Sequence, residues 1–243
     1  MRAVVRLKSI LLIVIVMVCS LAWAGTCLDA VLGQVAKEIK NGTSTSQDLD
    51  TLIAYTKNLD PASDAAKGVV SAISSRAAQS DGASRAAQII SNFPGAQDGI
   101  FSSLEPFRSK PGFSNLVVGL GNSSIDVAFG SSEELRFATS RLGADNVNSF
   151  QVPLEGTVPD IMDSSHNLYE IKARNYAGQS DFIIGEDLDK IHDQAALALS
   201  QLSPGATLTL AFNQPLTVSA EALYQQKFAD LTANPNFIRI NGF

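Results

Sequence analysis

The stretch VPDIMDSSHNLYEIKAR, residues 158–174, brings Asp160, Glu170 and Lys172 into one short part of the chain. Side chains alternate along a β-strand. If LYEIKAR is a strand, Tyr169, Ile171 and Ala173 face one way and suit a core. Leu168, Glu170, Lys172 and Arg174 then face the other way, which sets Glu170 beside Lys172 on one surface. The preceding segment PDIMD is tied to this strand by the turn SSHN, so Asp160 is expected to lie near Glu170. Two carboxylates held close repel each other unless a cation sits between them. A hard divalent ion such as Mg2+ takes a few carboxylate oxygens, keeps several waters and leaves room for a phosphate. A neighbouring ammonium can orient or help deprotonate a metal-bound water and offset charge on the phosphate. These three side chains suit metal-assisted hydrolysis of a phosphodiester.

The elements that must position them follow from hydrophobic periodicity. Between residue 27 and about residue 110 the apolar residues recur at helical spacing: Leu28, Val31, Leu32, Val35 and Ile39, then Leu49, Leu52, Ile53 and Leu59, then Ala66, Val69, Val70, Ile73 and Ala77. Ser46, Pro61 and Ser63 mark helix starts, and KNGTSTS, QSDGAS and NFPGAQDG mark turns. PFRSKPGFSN, with two prolines and a glycine, reads as a boundary near residue 112. Beyond it NLVVGLG and SIDVAFG are short apolar runs, and SSEELRFATSRLG is a helix stopped by Gly143. NSFQVPL, PDIMD and LYEIKAR read as strands, EDLDKIHDQAALALSQL as a helix, ATLTLAF as a strand, SAEALYQQKFADLTA as a helix and NFIRI as a last strand. The expected fold is α+β: a helical region over residues 25–112, then a mixed β-sheet flanked by helices over residues 113–243.

Pro159-Asp160 followed by Glu170-Ile171-Lys172, in this order of elements, resembles the PD-(D/E)xK, or restriction-endonuclease-like, nuclease superfamily. The resemblance covers about residues 128–212. It implies that Asp160 and Glu170 bind Mg2+ or Mn2+, that the backbone carbonyl of Ile171 helps, and that Lys172 serves the attacking water. It further implies a glutamate on the helix before the strands; Glu133 and Glu134 are both candidates, and Glu134, nearer the polar edge beside Leu135 and Ala138, is preferred. The helix after the motif is expected to add a polar residue. Lys190 and Gln194, four apart and so on one face, are secondary candidates ahead of His192. The substrate implied is DNA or RNA. Exported proteins resembling this superfamily include antibacterial and effector toxins, which implies a cognate immunity protein as a partner.

The N-terminus reads as a secretory signal peptide over residues 1–24: Arg2, Arg6 and Lys8, then the apolar run ILLIVIVMV, then Ala22-Trp23-Ala24. The apolar stretch is shorter than the roughly 20 residues of a spanning helix. The expected mature protein is therefore secreted or periplasmic, with no membrane segment. Cleavage would remove three basic residues and no acidic ones, taking the net charge from −6 to −9. Such a balance argues against broad basic binding of nucleic acid, though not against a metal-mediated grip on a short stretch of backbone. Cys19 would leave with the signal, and Cys27 alone cannot form an intrachain disulfide. His166 and His192 with one cysteine do not make a zinc site, and neither a glycine-rich phosphate loop nor a Gly-x-Ser-x-Gly elbow occurs. Taken singly, each acid has a plainer role: Glu170 with Lys172 as an ion pair on a solvated strand, Asp160 opening a turn after Pro159, Glu133 and Glu134 complementing a helix start. A secreted or periplasmic binding protein on the same fold, without catalysis, is the alternative reading.

Overall fold

The computed structural model describes residues 26–151 and 153–243, with side chains from residue 33 onward. The signal-peptide reading of residues 1–24 and the Cys27 thiol lie outside the described residues. The chain divides into two compact units, Met1–Arg108 with Leu120–Ser123, and Ser109–Gly119 with Ser124–Phe243.

The described part of the first unit is helical: α1 (Thr26–Asn41), α2 (Ser46–Thr56), α3 (Asp64–Ser75), α4 (Gly82–Asn92), α5 (Gln97–Leu104) and a 3-10 turn, Glu105–Phe107. Local chemistry sets the starts. Thr45, one residue before the start expected at Ser46, closes a reciprocal capping box with Asp48. Ser63 caps α3 through the Ala66 N–H at 3.2 Å. Leu49, Leu52, Val69, Ile73, Ile89, Phe101 and Leu104 are buried. Where α3 meets α5 the backbones nearly touch: a Cβ at Gly68 would lie 2.0 Å from the Phe101 carbonyl oxygen.

The start of α4 is satisfied from a distance. Its cap residue Asp81 makes no capping hydrogen bond, because its carboxylate holds Arg76 at 2.9 Å and Arg85 at 3.2 Å. The Ala83 N–H donates instead to Glu38 of α1 at 2.8 Å. Glu38 is fully buried and also accepts from the Ser44 hydroxyl at 2.7 Å and the Gln34 amide at 2.8 Å. One acid thus fixes α1, the loop after it and the start of α4.

The second unit carries α6 (Phe113–Leu120), α7 (Ile125–Phe137) running into a π turn (Ala138–Leu142), β1 (Val147–Phe150), β2 (Ile161–Asp163), β3 (Leu168–Lys172), α8 (Asp181–Ser200), β4 (Leu208–Phe212), α9 (Val218–Lys227), α10 (Ala229–Thr232) and β5 (Phe237–Asn241). The fold is α+β with a mixed five-stranded sheet in the order β1-β2-β3-β4-β5, antiparallel from β1 to β3 and parallel from β3 to β5. The apolar runs NLVVGLG and SIDVAFG fall largely in α6 and α7, and the last expected helix divides into α9 and α10 at Phe228.

Both faces of the sheet are covered. Leu168, Leu208, Leu210 and Phe212 form one core with Ile184, Leu188 and Ile191 of α8 and Tyr224 of α9. On the other face the ring of Tyr169 lies 5.5 Å from that of Phe137 in α7. This corrects the expectation of a polar outer surface. Paired strand residues share a face, so the pairings Glu170–Leu210 and Lys172–Phe212 turn the acid and the lysine toward the α8 side. Glu170 is 3% exposed. Alternation sorts these side chains between two interiors, not between core and water.

Because three partners depend on Glu38, the Glu38→Ala variant is expected to lose about 2–3 kcal/mol of stability. Urea unfolding followed by circular dichroism checks this, with Glu38→Gln keeping part of the loss back; an unchanged midpoint would show that the three hydrogen bonds contribute nothing net.

Candidate active site

Asp160 reaches the site because β2 stops pairing with β3. The ladder runs Met162–Leu168 and Ile161–Tyr169 and goes no further. The next outward N–H on that edge of β3 belongs to Ile171, and it donates to Asp160 Oδ2 at 2.6 Å. The N–H and C=O of one strand residue point to the same edge, so the Ile171 carbonyl faces the same gap. The side chain of Asp160 replaces the backbone that has departed.

Glu170 and Lys172, two apart on β3, form an ion pair at 2.9 Å, with side chains 4% and 12% exposed. The Lys172 ammonium also donates to Gln194 of α8 at 3.2 Å. Glu134 comes from α7 and accepts from the Gln151 amide at 2.9 Å. Four charged groups therefore converge from three places in the chain: α7, the approach to β2, and β3.

Their mutual field is visible in the acidities. Burial pushes the Asp160 carboxyl up to about 7; the Glu170 charge adds to this, while the Lys172 ammonium and the Ile171 N–H pull the other way. Burial first, and the charge of Asp160 second, raise the Glu134 carboxyl well above the usual range. For Lys172, burial alone would lower the ammonium; Asp160 and Glu170 outweigh it and hold it above its ordinary value. Three acids around one lysine leave an excess of negative charge when all are ionised.

Among the described residues no group of three or more His, Cys, Asp or Glu side chains is arranged to hold a metal ion. The donor chemistry nevertheless suits a hard cation. Three carboxylates and a backbone carbonyl are all oxygen donors, and burial, with like charge second to it at Glu134, raises Asp160 and Glu134. Asp160 and Glu170 each have one oxygen committed, to the Ile171 N–H and to Lys172. Their other oxygens, Oδ1 and Oε1, carry no hydrogen bond among the described residues.

The remaining sequence candidates separate. Gln194 touches the cluster through Lys172, while Lys190 is exposed and makes no hydrogen bond or ion pair among the described residues. Glu133 is turned to Arg136, at 2.9 Å from its Nε, leaving Glu134 as the glutamate in the cluster. His192 pairs with Asp230 at 3.1 Å. His166 occupies the β2–β3 turn with φ 67°.

One contributor escaped the sequence. Gln151 belongs to a segment whose pattern reads as strand, but β1 ends at Phe150 and Gln151 turns to φ 45°. Arg174, just beyond β3, is held by Asp187 at 2.7 Å, and the Tyr176 hydroxyl donates to the same carboxylate at 2.8 Å. The strand alternation placed Arg174 on the Lys172 side, but no local signal connects it to a helix residue. Comparison with family models, with curated proteins and with solved structures finds no match to this chain.

A carboxyl group raised in the folded state binds its proton more tightly there than in the unfolded chain. Asp160 therefore contributes stability that is full below about pH 4 and is lost as pH rises toward about 7. In EDTA, chemical denaturation across this window is expected to show stability falling with pH, and Asp160→Asn is expected to flatten the slope. An identical slope in the variant would place the tightened proton binding on another group.

Proposed function

We propose that this protein is an exported, metal-dependent nuclease that hydrolyses phosphodiester bonds in DNA or RNA, on the PD-(D/E)xK plan. The observation that carries this reading is the joint placement of Glu134, Asp160, Glu170 and Lys172 at the gap between β2 and β3. Asp160, Glu170 and the Ile171 carbonyl would hold Mg2+ or Mn2+, with Glu134 beside them. A divalent ion there would supply a polarised phosphate and an activated water.

The chain's own part is positional and electrostatic. Lys172 keeps its proton, since two carboxylates hold it charged. Its role is to orient the attacking water and to stabilise charge developing on the phosphoryl oxygens. Gln194 fixes the ammonium from the α8 side. A toxin role, secretion and a cognate immunity protein belong to the same reading and rest on the family resemblance and the N-terminal pattern.

A non-catalytic binding protein is the second reading. It is favoured by the closed Lys172–Glu170 pair, which a purely structural ion pair would also show.

Plasmid DNA and total RNA incubated with the purified protein in Mg2+ or in EDTA separate the two. Metal-dependent cutting is expected, with Glu170→Ala and Lys172→Ala each slowing it by about 100-fold or more while remaining folded. No cutting of either polymer, together with no metal binding by calorimetry, would sink the enzyme and leave the binding protein.

A further inference from the structure

We propose that Gln151 is the positioning residue of this cluster, holding the Glu134 carboxylate beside Asp160 so that the acids can share one cation. The proposal rests on the nuclease reading and extends it to a residue outside the motif.

Gln151 is in the left-handed region at φ 45°. That conformation costs a residue with a Cβ roughly 1–2 kcal/mol. Glycine and asparagine adopt it routinely; glutamine does not. Such a cost persists where the surroundings over-determine it, and it clusters at functional sites. Here three bonds surround it. The Gln151 N–H donates to the Asp160 carbonyl at 3.0 Å. Its side-chain amide donates to Glu134 at 2.9 Å. The preceding Phe150 N–H is taken by the Pro111 carbonyl at 2.9 Å, and Gly112 comes so near that a Cβ there would lie 1.6 Å from the Phe150 carbonyl oxygen. The chain is clamped just before Gln151 and turned at it.

The turn has a consequence that a regular strand would not have. Main chain and side chain of one residue grip two different acids, one from α7 and one from the approach to β2. The chemistry of the side chain matters too. A lysine or arginine at this place would neutralise Glu134 and compete with a divalent ion. A primary amide donates a hydrogen bond and leaves the carboxylate its full charge. Hydrogen bonds of this kind, from groups behind the ligands, set carboxylate orientation, and their loss typically costs 10–100-fold in metal affinity or activity.

A purely structural glutamine would satisfy a buried acid and nothing more. Gln151→Asn separates the two roles. Asparagine tolerates the left-handed backbone better, but its side chain is one methylene too short to reach Glu134. Gln151→Met keeps the length and removes the donor. The measurements are Mn2+ affinity by calorimetry, melting temperature, and kcat and KM for DNA cleavage, with Glu170→Ala as reference. The expected result for Gln151→Asn is an unchanged or higher melting temperature, Mn2+ binding weakened by about 10–100-fold, kcat lowered to match, and an unchanged KM. Gln151→Met should weaken Mn2+ binding similarly. If both variants bind Mn2+ and cut as the unaltered protein does while Glu170→Ala does neither, or if only melting temperature falls, Gln151 is structural and the proposal fails alone. An unaltered protein that neither binds Mn2+ nor cuts nucleic acid overturns the nuclease reading, and this proposal with it.

Discussion

Three carboxylates crowded around a single ammonium are the constraint that the second unit is organised to tolerate. Like charges in a low-dielectric interior repel strongly unless something compensates them. Lys172 compensates in part: it pairs directly with Glu170 and its field reaches Asp160. Burial, with the neighbouring carboxylate charges adding to it, leaves Glu134 and Asp160 weaker acids than usual. A protein gains no stability from such an arrangement, since replacing a buried ionic group by packed apolar residues is often neutral or favourable. Strongly perturbed carboxyls beside a fixed cation are where function is sought.

The first unit shows how an acid is buried when structure alone is served. Glu38 lies at 0% exposure, yet a backbone N–H, a hydroxyl and an amide all donate to it. Its neighbours supply three hydrogen-bond donors, two to one oxygen and one to the other. In the cluster at the β2–β3 gap, by contrast, Asp160 and Glu170 each receive one donor from the sheet and leave an oxygen over. The first acid is saturated by its surroundings. The others are held in place, each with one oxygen that carries no hydrogen bond among the described residues.

Several irregularities of the sheet bring these groups together. β2 is only Ile161–Asp163, and its early departure exposes the Ile171 N–H to the Asp160 side chain. β1 ends at Phe150, and the left-handed Gln151 that follows turns its side-chain amide to Glu134. The covering of both faces by α7 and α8 removes water from Glu170 and Lys172, which is what makes their charges count. A longer, flatter hairpin open to solvent would be more regular and would hold Glu170 and Lys172 as an ordinary surface pair, worth little.

The sequence by itself determined the α+β class, the order of helices and strands across residues 125–241, and the nearness of Asp160, Glu170 and Lys172, because these depend on local periodicity and on a short turn. Alternation along LYEIKAR correctly paired Glu170 with Lys172 on one side of the strand. It could not say that this side is interior, because period-two patterning distinguishes two faces and is silent on what covers each. The sequence preferred Glu134 to Glu133 for a place near the polar edge of α7; the tertiary structure buries both equally and separates them by contact, Glu133 with Arg136 and Glu134 with Gln151. It alone decided the part of Gln151, whose strand-like context gives no hint of a left-handed turn. It alone set the acidities, because burial and like-charge repulsion are properties of groups brought together from distant parts of the chain.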